Sequence, residues 1–135
     1  MTEPRRPDPL ASNLDQQAIA IETMIDECHG RSVRAGWYRD PKTGAPIERN
    51  VGEMLCLIHS EVSEALEGHR KSLNDTHLRD RPMIEVELAD VLIRVFDLAG
   101  YLDLDLGESY RRKLIYNETR ADHTLAARAA GGKAF

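Results

Sequence analysis

Apolar positions recur along this chain at steps of three and four in four separate stretches, and few of the β-branched, alternating runs that announce strands occur. The first holds Ala18, Ile21, Met24, Ile25 and Cys28 behind a hydroxyl-and-acid start at Ser12-Asn-Leu-Asp15, which predicts a helix ending near Gly30. The second opens on another such start, Asn50-Val-Gly-Glu53. It carries Val51, Leu55, Ile58, Val62, Ala65 and Leu66 as its apolar face to about Arg70. The third follows Pro82, a residue suited to a first turn, and runs over 83–101. It is apolar nearly all round, with one narrow polar stripe made of Glu87, Asp90, Arg94 and Asp97. In the fourth, capped by Asp105-Leu-Gly-Glu108, Leu106, Tyr110 and Leu114 point inward while Lys113, Asn117 and Arg120 share a neighbouring face.

Four such helices predict an all-α fold, an antiparallel four-helix bundle. Residues 1–13 read as a flexible arm, 14–120 as the bundle and 121–135 as a basic tail. The stretch 31–47, with Gly36, Pro41, Gly44, Pro46 and the only tryptophan, Trp37, reads as a long functional loop, and 72–81 as a polar connection. A third helix that is apolar on every side but one needs more cover than one small bundle gives, so a homodimer or homotetramer is expected.

Composition changes this picture little. With 135 residues, 41 % hydrophobic and 30 % charged, the chain is long enough for one stable core, and the 5 % of aromatics fits a helical protein. No run approaches the ~20 apolar residues of a membrane span, the N-terminus lacks a signal-peptide core, and the two cysteines, Cys28 and Cys56, have no metal or disulfide spacing. A cytoplasmic protein with buried, reduced thiols and no membrane partner is expected.

Charge is more informative. The net charge of −5 argues against a nucleic-acid partner, yet from Arg111 onward six bases face two acids, leaving a net +4. An acidic centre beside a basic end suits a metal with a polyanionic ligand. The acids are two pairs with one spacing, Glu61-Val-Ser-Glu64 and Glu87-Leu-Ala-Asp90. An i, i+3 pair lies about 60° apart around a helix, close enough to reach one ion. Magnesium takes about six oxygens and keeps open positions for phosphates, so carboxylates converging from two antiparallel helices would form half a cage. Solvated surface acids are the plainer reading for Glu61 and Glu64; it is weaker for Glu87 and Asp90, which interrupt the most apolar helix, where an unpaired carboxylate costs several kcal/mol.

The doubled motif, with Gly52-Glu-Met-Leu-Cys-Leu-Ile-His-Ser-Glu61-Val-Ser-Glu64-Ala-Leu-Glu67 and Glu85-Val-Glu87-Leu-Ala-Asp90-Val-Leu-Ile-Arg94-Val-Phe-Asp97 around it, resembles the core of the MazG-like all-α nucleoside triphosphate pyrophosphohydrolases. Lys113-Leu-Ile-Tyr-Asn117-Glu-Thr-Arg120-Ala-Asp-His123 and the terminal Gly-Gly-Lys-Ala-Phe are similar to that family's phosphate-facing helix and tail, so the likeness covers roughly residues 50–135. The resemblance implies Mg²⁺-dependent cleavage of (deoxy)nucleoside triphosphates to monophosphate and pyrophosphate, a house-cleaning of nucleotide pools, with Mn²⁺ as a substitute ion. Glu61, Glu64, Glu87 and Asp90 would then hold the metal, which activates the attacking water, and Glu61 and Glu64 are equal candidates for the base that takes its proton.

Lys113, Asn117 and Arg120 are candidates for gripping phosphate or sugar, and Trp37 for stacking on a base, although an isolated Trp more often anchors packing. Arg94 and Asp97 read as an internal ion pair that orients the metal acids. His59 reads as a packed or hydrogen-bonded histidine, and no histidine has zinc-ligand spacing. Two alternatives stay open: a specialised member acting on dUTP, dCTP or phosphoribosyl-ATP, and a helical regulatory module without catalysis. A ferritin-like di-iron bundle is disfavoured, because no Glu-x-x-His pair occurs.

Overall fold

The computed structural model describes residues 9–132; its regular secondary structure there is helical, with no strand and only two isolated bridges, Arg39 to Pro46 and Asn74 to Pro82. The long helices are α1 (Pro9–Arg34), α2 (Val51–Lys71), α3 (Met83–Tyr101) and α4 (Leu106–Thr119), followed by a 3₁₀ turn (Ala121–His123) and the short α5 (Leu125–Ala129). Most of the expected N-terminal arm and the last three residues of the tail lie outside the described residues. The described part of the tail is ordered as the 3₁₀ turn and α5. None of the described helices is long and apolar enough to cross a membrane.

The caps expected for α2 and α4 are made. Asn50 accepts from the Glu53 backbone N–H at 3.1 Å and Asp105 from that of Glu108 at 3.3 Å, each satisfying a donor the first helical turn leaves open. Both ends of α1 differ from expectation. The helix already runs from Pro9, whose fixed φ and missing N–H suit a first turn, so the backbone at Ser12 is inside it. It also continues through Gly30 to Arg34, because the stop signal is Gly36: with φ at 85°, it lets Trp37 N–H reach Ser32 C=O and Gly36 N–H reach Val33 C=O. Ser72 after α2 and Asp103 after α3 use the same left-handed bend, each at φ 51°.

The chain divides into two compact units. The first contains the residues up to Glu22 and those from Asp105 onward. In it Gly107 is buried where α4 meets α1: its N–H donates to Glu22 Oε1 at 2.8 Å, and a Cβ there would lie 2.6 Å from Ala18 C=O. Tyr110, expected inward, is exposed.

The second unit spans Thr23–Leu104. Here α2 and α3 pack antiparallel, and Gly68 permits the approach, since a Cβ on it would fall 2.8 Å from Met83 Cβ. The last turns of α1 press on α3 at Gly100, where a Cβ would sit 2.5 Å from His29 Cβ. The core is small: Ile25, Met54, Ala65, Phe96, Leu98 and Ala99 are its buried hydrophobics.

That core corrects the apolar face assigned to α2. The helix buries Met54, Glu61, Ala65 and Gly68. Leu55, Val62 and Leu66 each follow one of these in sequence, so they lie about 100° round the helix and are exposed. Leu88 and Leu92 of α3 are exposed as well. Cys56, expected to be buried, is exposed; Cys28 is half-buried, and both are free thiols. His59 also faces outward rather than packing.

Candidate metal centre and adjoining cleft

The polar residues buried between α2 and α3 are carboxylates. Glu61 and Glu87 are each only 7 % exposed, Asp90 is half-buried, and one oxygen of each lies within 4.8 Å of the others. The i, i+3 spacing that groups Glu61 with Glu64 in sequence separates them in space. Residue 61 points along the α2–α3 contact and residue 64, some 60° further round, is exposed. Glu64 lines the outer side of the same centre with Asp75, Thr76 and His77, and its charge reaches Glu87.

Three acids packed together must share protons or a cation. Glu87 is pushed up from 4.5 to about 7, first by burial, then by a hydrogen bond with Glu61 and by the charges of Glu64, Glu61 and Asp90. Asp90 is raised in the same direction by burial and by Glu61, against the pull of Arg94. Among the described residues this is the one group of such side chains placed to hold a metal ion, and no histidine takes part. The donor set is all oxygen, which suits a hard divalent cation over a soft one.

Arg94 and Asp97 do not pair with each other. Arg94 Nε donates to Glu61 Oε1 at 2.5 Å across the hairpin. Asp97, one turn on, belongs to a different cluster: its Oδ1 accepts the Tyr38 hydroxyl at 2.8 Å and contacts His29 Nδ1 at 2.9 Å. The two rings meet edge to face at 5.1 Å, and Tyr38 lies 5.1 Å from Tyr101. Burial first, and then Asp97, pushes the Tyr38 phenol above its ordinary range, so it is held as an O–H donor.

Between the acids and this cluster opens a cleft of about 440 Å³. Met54, Leu57 and Ile93 give it apolar walls, Glu61 and Asp90 one end, and Trp37, 64 % exposed, stands at its rim. Trp37 is therefore available for stacking rather than buried as an anchor. Arg49 also lines the cleft; its guanidinium lies 5.8 Å from the centroid of the Tyr38 ring and donates to Trp37 C=O at 3.3 Å. The loop that carries Trp37 and Tyr38 is itself fixed, by Ile47 N–H to Tyr38 C=O at 3.0 Å and by the Asp40 carboxylate accepting from the backbone of Lys42 and Thr43.

Lys113, Asn117 and Arg120 belong to the first unit. Lys113 Nζ lies 4.9 Å from the Tyr116 ring centroid, and Arg120, beyond the end of α4, forks onto both carboxylate oxygens of Asp122. Asn117 Oδ1 is buried with no hydrogen-bond partner among the described residues. Arg120 is thus committed locally, a partnership the acid two residues on could have announced.

The participants that helical periodicity missed are His29, Tyr38 and Arg49. Tyr38 and Arg49 lie in the segment between α1 and α2, where no helical period applies, and His29 sits near the end of α1 among residues whose spacing does not single it out. Comparison of the chain with protein-family models, with curated proteins and with solved structures returns no match.

Proposed function

We propose that this chain is a Mg²⁺-dependent nucleoside triphosphate pyrophosphohydrolase that removes unwanted or excess (deoxy)nucleoside triphosphates, working as a homo-oligomer. The observation that carries the reading is the convergence of Glu61, Glu87 and Asp90 within 4.8 Å beside a cleft with a stacking ring at its rim. It agrees with the resemblance stated for the doubled acidic motif.

Glu61, Glu87 and Asp90 would hold the ion, with Glu64 beside them; bound there, Mg²⁺ neutralises phosphate oxygens and raises the acidity of water. The chain's own groups do the rest. Arg94 fixes Glu61 by a charge-assisted hydrogen bond, so one oxygen is committed and the other is left to the centre. Glu64, exposed at the centre's outer side, is the better placed of the two candidate bases, because Glu61 is already bonded to Arg94. Met54, Leu57 and Ile93 offer an apolar surface to the nucleoside in the part of the cleft that would receive it. On the resemblance alone, Lys113 and Asn117 remain phosphate or sugar contacts, and Arg120 with them.

The reading is tested by incubating the purified protein with a panel of nucleoside triphosphates. Turnover should require Mg²⁺, stop with chelator, return on adding Mg²⁺ or Mn²⁺, and be lost in Glu61→Gln and Asp90→Asn. Activity that survives chelation or both substitutions would reject it.

A further inference from the structure

We propose that Asp97 is a specificity-determining residue that selects nucleobases bearing an exocyclic amine. This inference rests on the reading of the centre as a nucleoside triphosphate site and adds the substrate class within it.

Asp90 and Asp97 are seven residues apart on α3, so they share one side of the helix and lie about 10 Å apart along its axis. That span is comparable to the reach from the α-phosphate across the sugar to the edge of a base. Both line the cleft, Asp90 at the metal end and Asp97 at the end below the Trp37 loop. A base stacked on Trp37 therefore presents its edge toward Asp97 when its phosphates lie at Asp90.

The Asp97 carboxylate is built to be an acceptor there. Its side chain is 14 % exposed, and the Tyr38 hydroxyl and His29 Nδ1 both converge on Oδ1. Those contacts restrain the carboxylate through Oδ1, and since Asp97 lines the cleft, Oδ2 is the oxygen through which it would accept from a base. A carboxylate oxygen accepts and cannot donate, so it bonds an amine and repels a carbonyl in the same place. Arg94, which lines the same cleft, directs its Nε–H to Glu61 and not to Asp97. A site built around a buried hydrogen-bonding group rejects the analogue that leaves it unpaired far more strongly than an apolar pocket rejects a change of shape.

The test is kcat/KM for two pairs that exchange an amine for a carbonyl, CTP against UTP and ATP against ITP, in Mg²⁺ with wild-type protein and Asp97→Asn. Wild type should favour the amine member of each pair by roughly 10- to 100-fold. Asp97→Asn, whose amide can donate to a carbonyl, should bring the ratio near one or invert it, by lowering kcat/KM for CTP and ATP more than for UTP and ITP. A structural role would lower all four substrates together and leave the ratios alone. Tyr38→Phe keeps the carboxylate but removes one of its restraints, and should reduce the ratio severalfold through KM with kcat preserved; it serves equally where Asp97→Asn does not fold. Equal handling of both members by wild type, or ratios untouched by either substitution, overturns the inference. Should wild type cleave none of the four, the triphosphatase reading itself fails, and the same pairs are compared as Kd by calorimetry in Mg²⁺; equal affinities then overturn the role of Asp97 separately.

Discussion

Arg94 Nε and Glu61 Oε1 meet at 2.5 Å across the α2–α3 hairpin, and this pair holds a buried carboxylate in place beside two others. The Arg94 side chain is 40 % exposed and the Glu61 side chain 9 %, so the bond is a partly screened tether. Replacing Arg94 by Met should leave Glu61 buried beside Glu87 without its countercharge. We expect a loss of about 1–2 kcal/mol of stability in chelator, measured by urea unfolding, after discounting for solvent at the exposed end. Added Mg²⁺ should recover more stability in the variant than in wild type, since the ion replaces the missing positive charge.

Glu87 makes stability depend on pH in an unusual direction. Its folded value is raised to about 7 from 4.5, so between those values the folded state holds a proton that the unfolded chain has lost. In chelator the melting temperature should therefore fall as pH rises from about 4.5 to about 7. Glu87→Gln should remove most of that slope, leaving the smaller part that the raised Asp90 contributes. Divalent cations should bind more tightly and release a proton as pH rises across the same window, which calorimetry in buffers of different ionisation enthalpy measures.

Gly100 is a packing requirement. Gly100→Ala would place a Cβ 2.5 Å from His29 Cβ, within a contact that no side-chain rotation relieves. A loss of about 1–3 kcal/mol is expected from thermal unfolding. Because His29 also contacts Asp97, discrimination between amine and carbonyl bases should weaken in the same variant.

Leu55, Val62 and Leu66 of α2 and Leu88 and Leu92 of α3 leave the hairpin with apolar surface that monomers seldom expose. We expect a second copy of the chain to cover it. Sedimentation should give a dimer or tetramer, and Leu66→Glu combined with Leu92→Glu should shift it to monomer. A wild-type monomer at micromolar concentration would contradict the expectation.

Much of this structure was legible in the chain because helical periodicity and capping residues are local. The starts at Asn50 and Asp105 were announced by residues three positions apart, and α3 came out at its expected bounds. The ends of α1 were not, since Gly30 is tolerated inside a helix whose stop depends on a left-handed bend six residues later. At the centre, the sequence identified the four acids but ranked them by helix. The structure ranks them by angular position: Glu61 with Glu87 inside, Asp90 half-buried, Glu64 outside. Of the apolar stripe expected on α2, Ala65 is buried while Leu55, Val62 and Leu66 are exposed, because Met54, Glu61 and Gly68 line the close contact beside Ala65. The Tyr38, Asp97 and His29 cluster joins positions up to 68 residues apart, and no local pattern carries such a pairing.

Phosphorus NMR of nucleoside triphosphate turnover in Mg²⁺, with wild type and Asp90→Asn side by side, bears most directly on the whole account. Wild type should yield nucleoside monophosphate and pyrophosphate in equal amounts, and Asp90→Asn should yield neither at more than about a hundredth of that rate. Orthophosphate as the sole inorganic product, or equal pyrophosphate release from the variant, would contradict it.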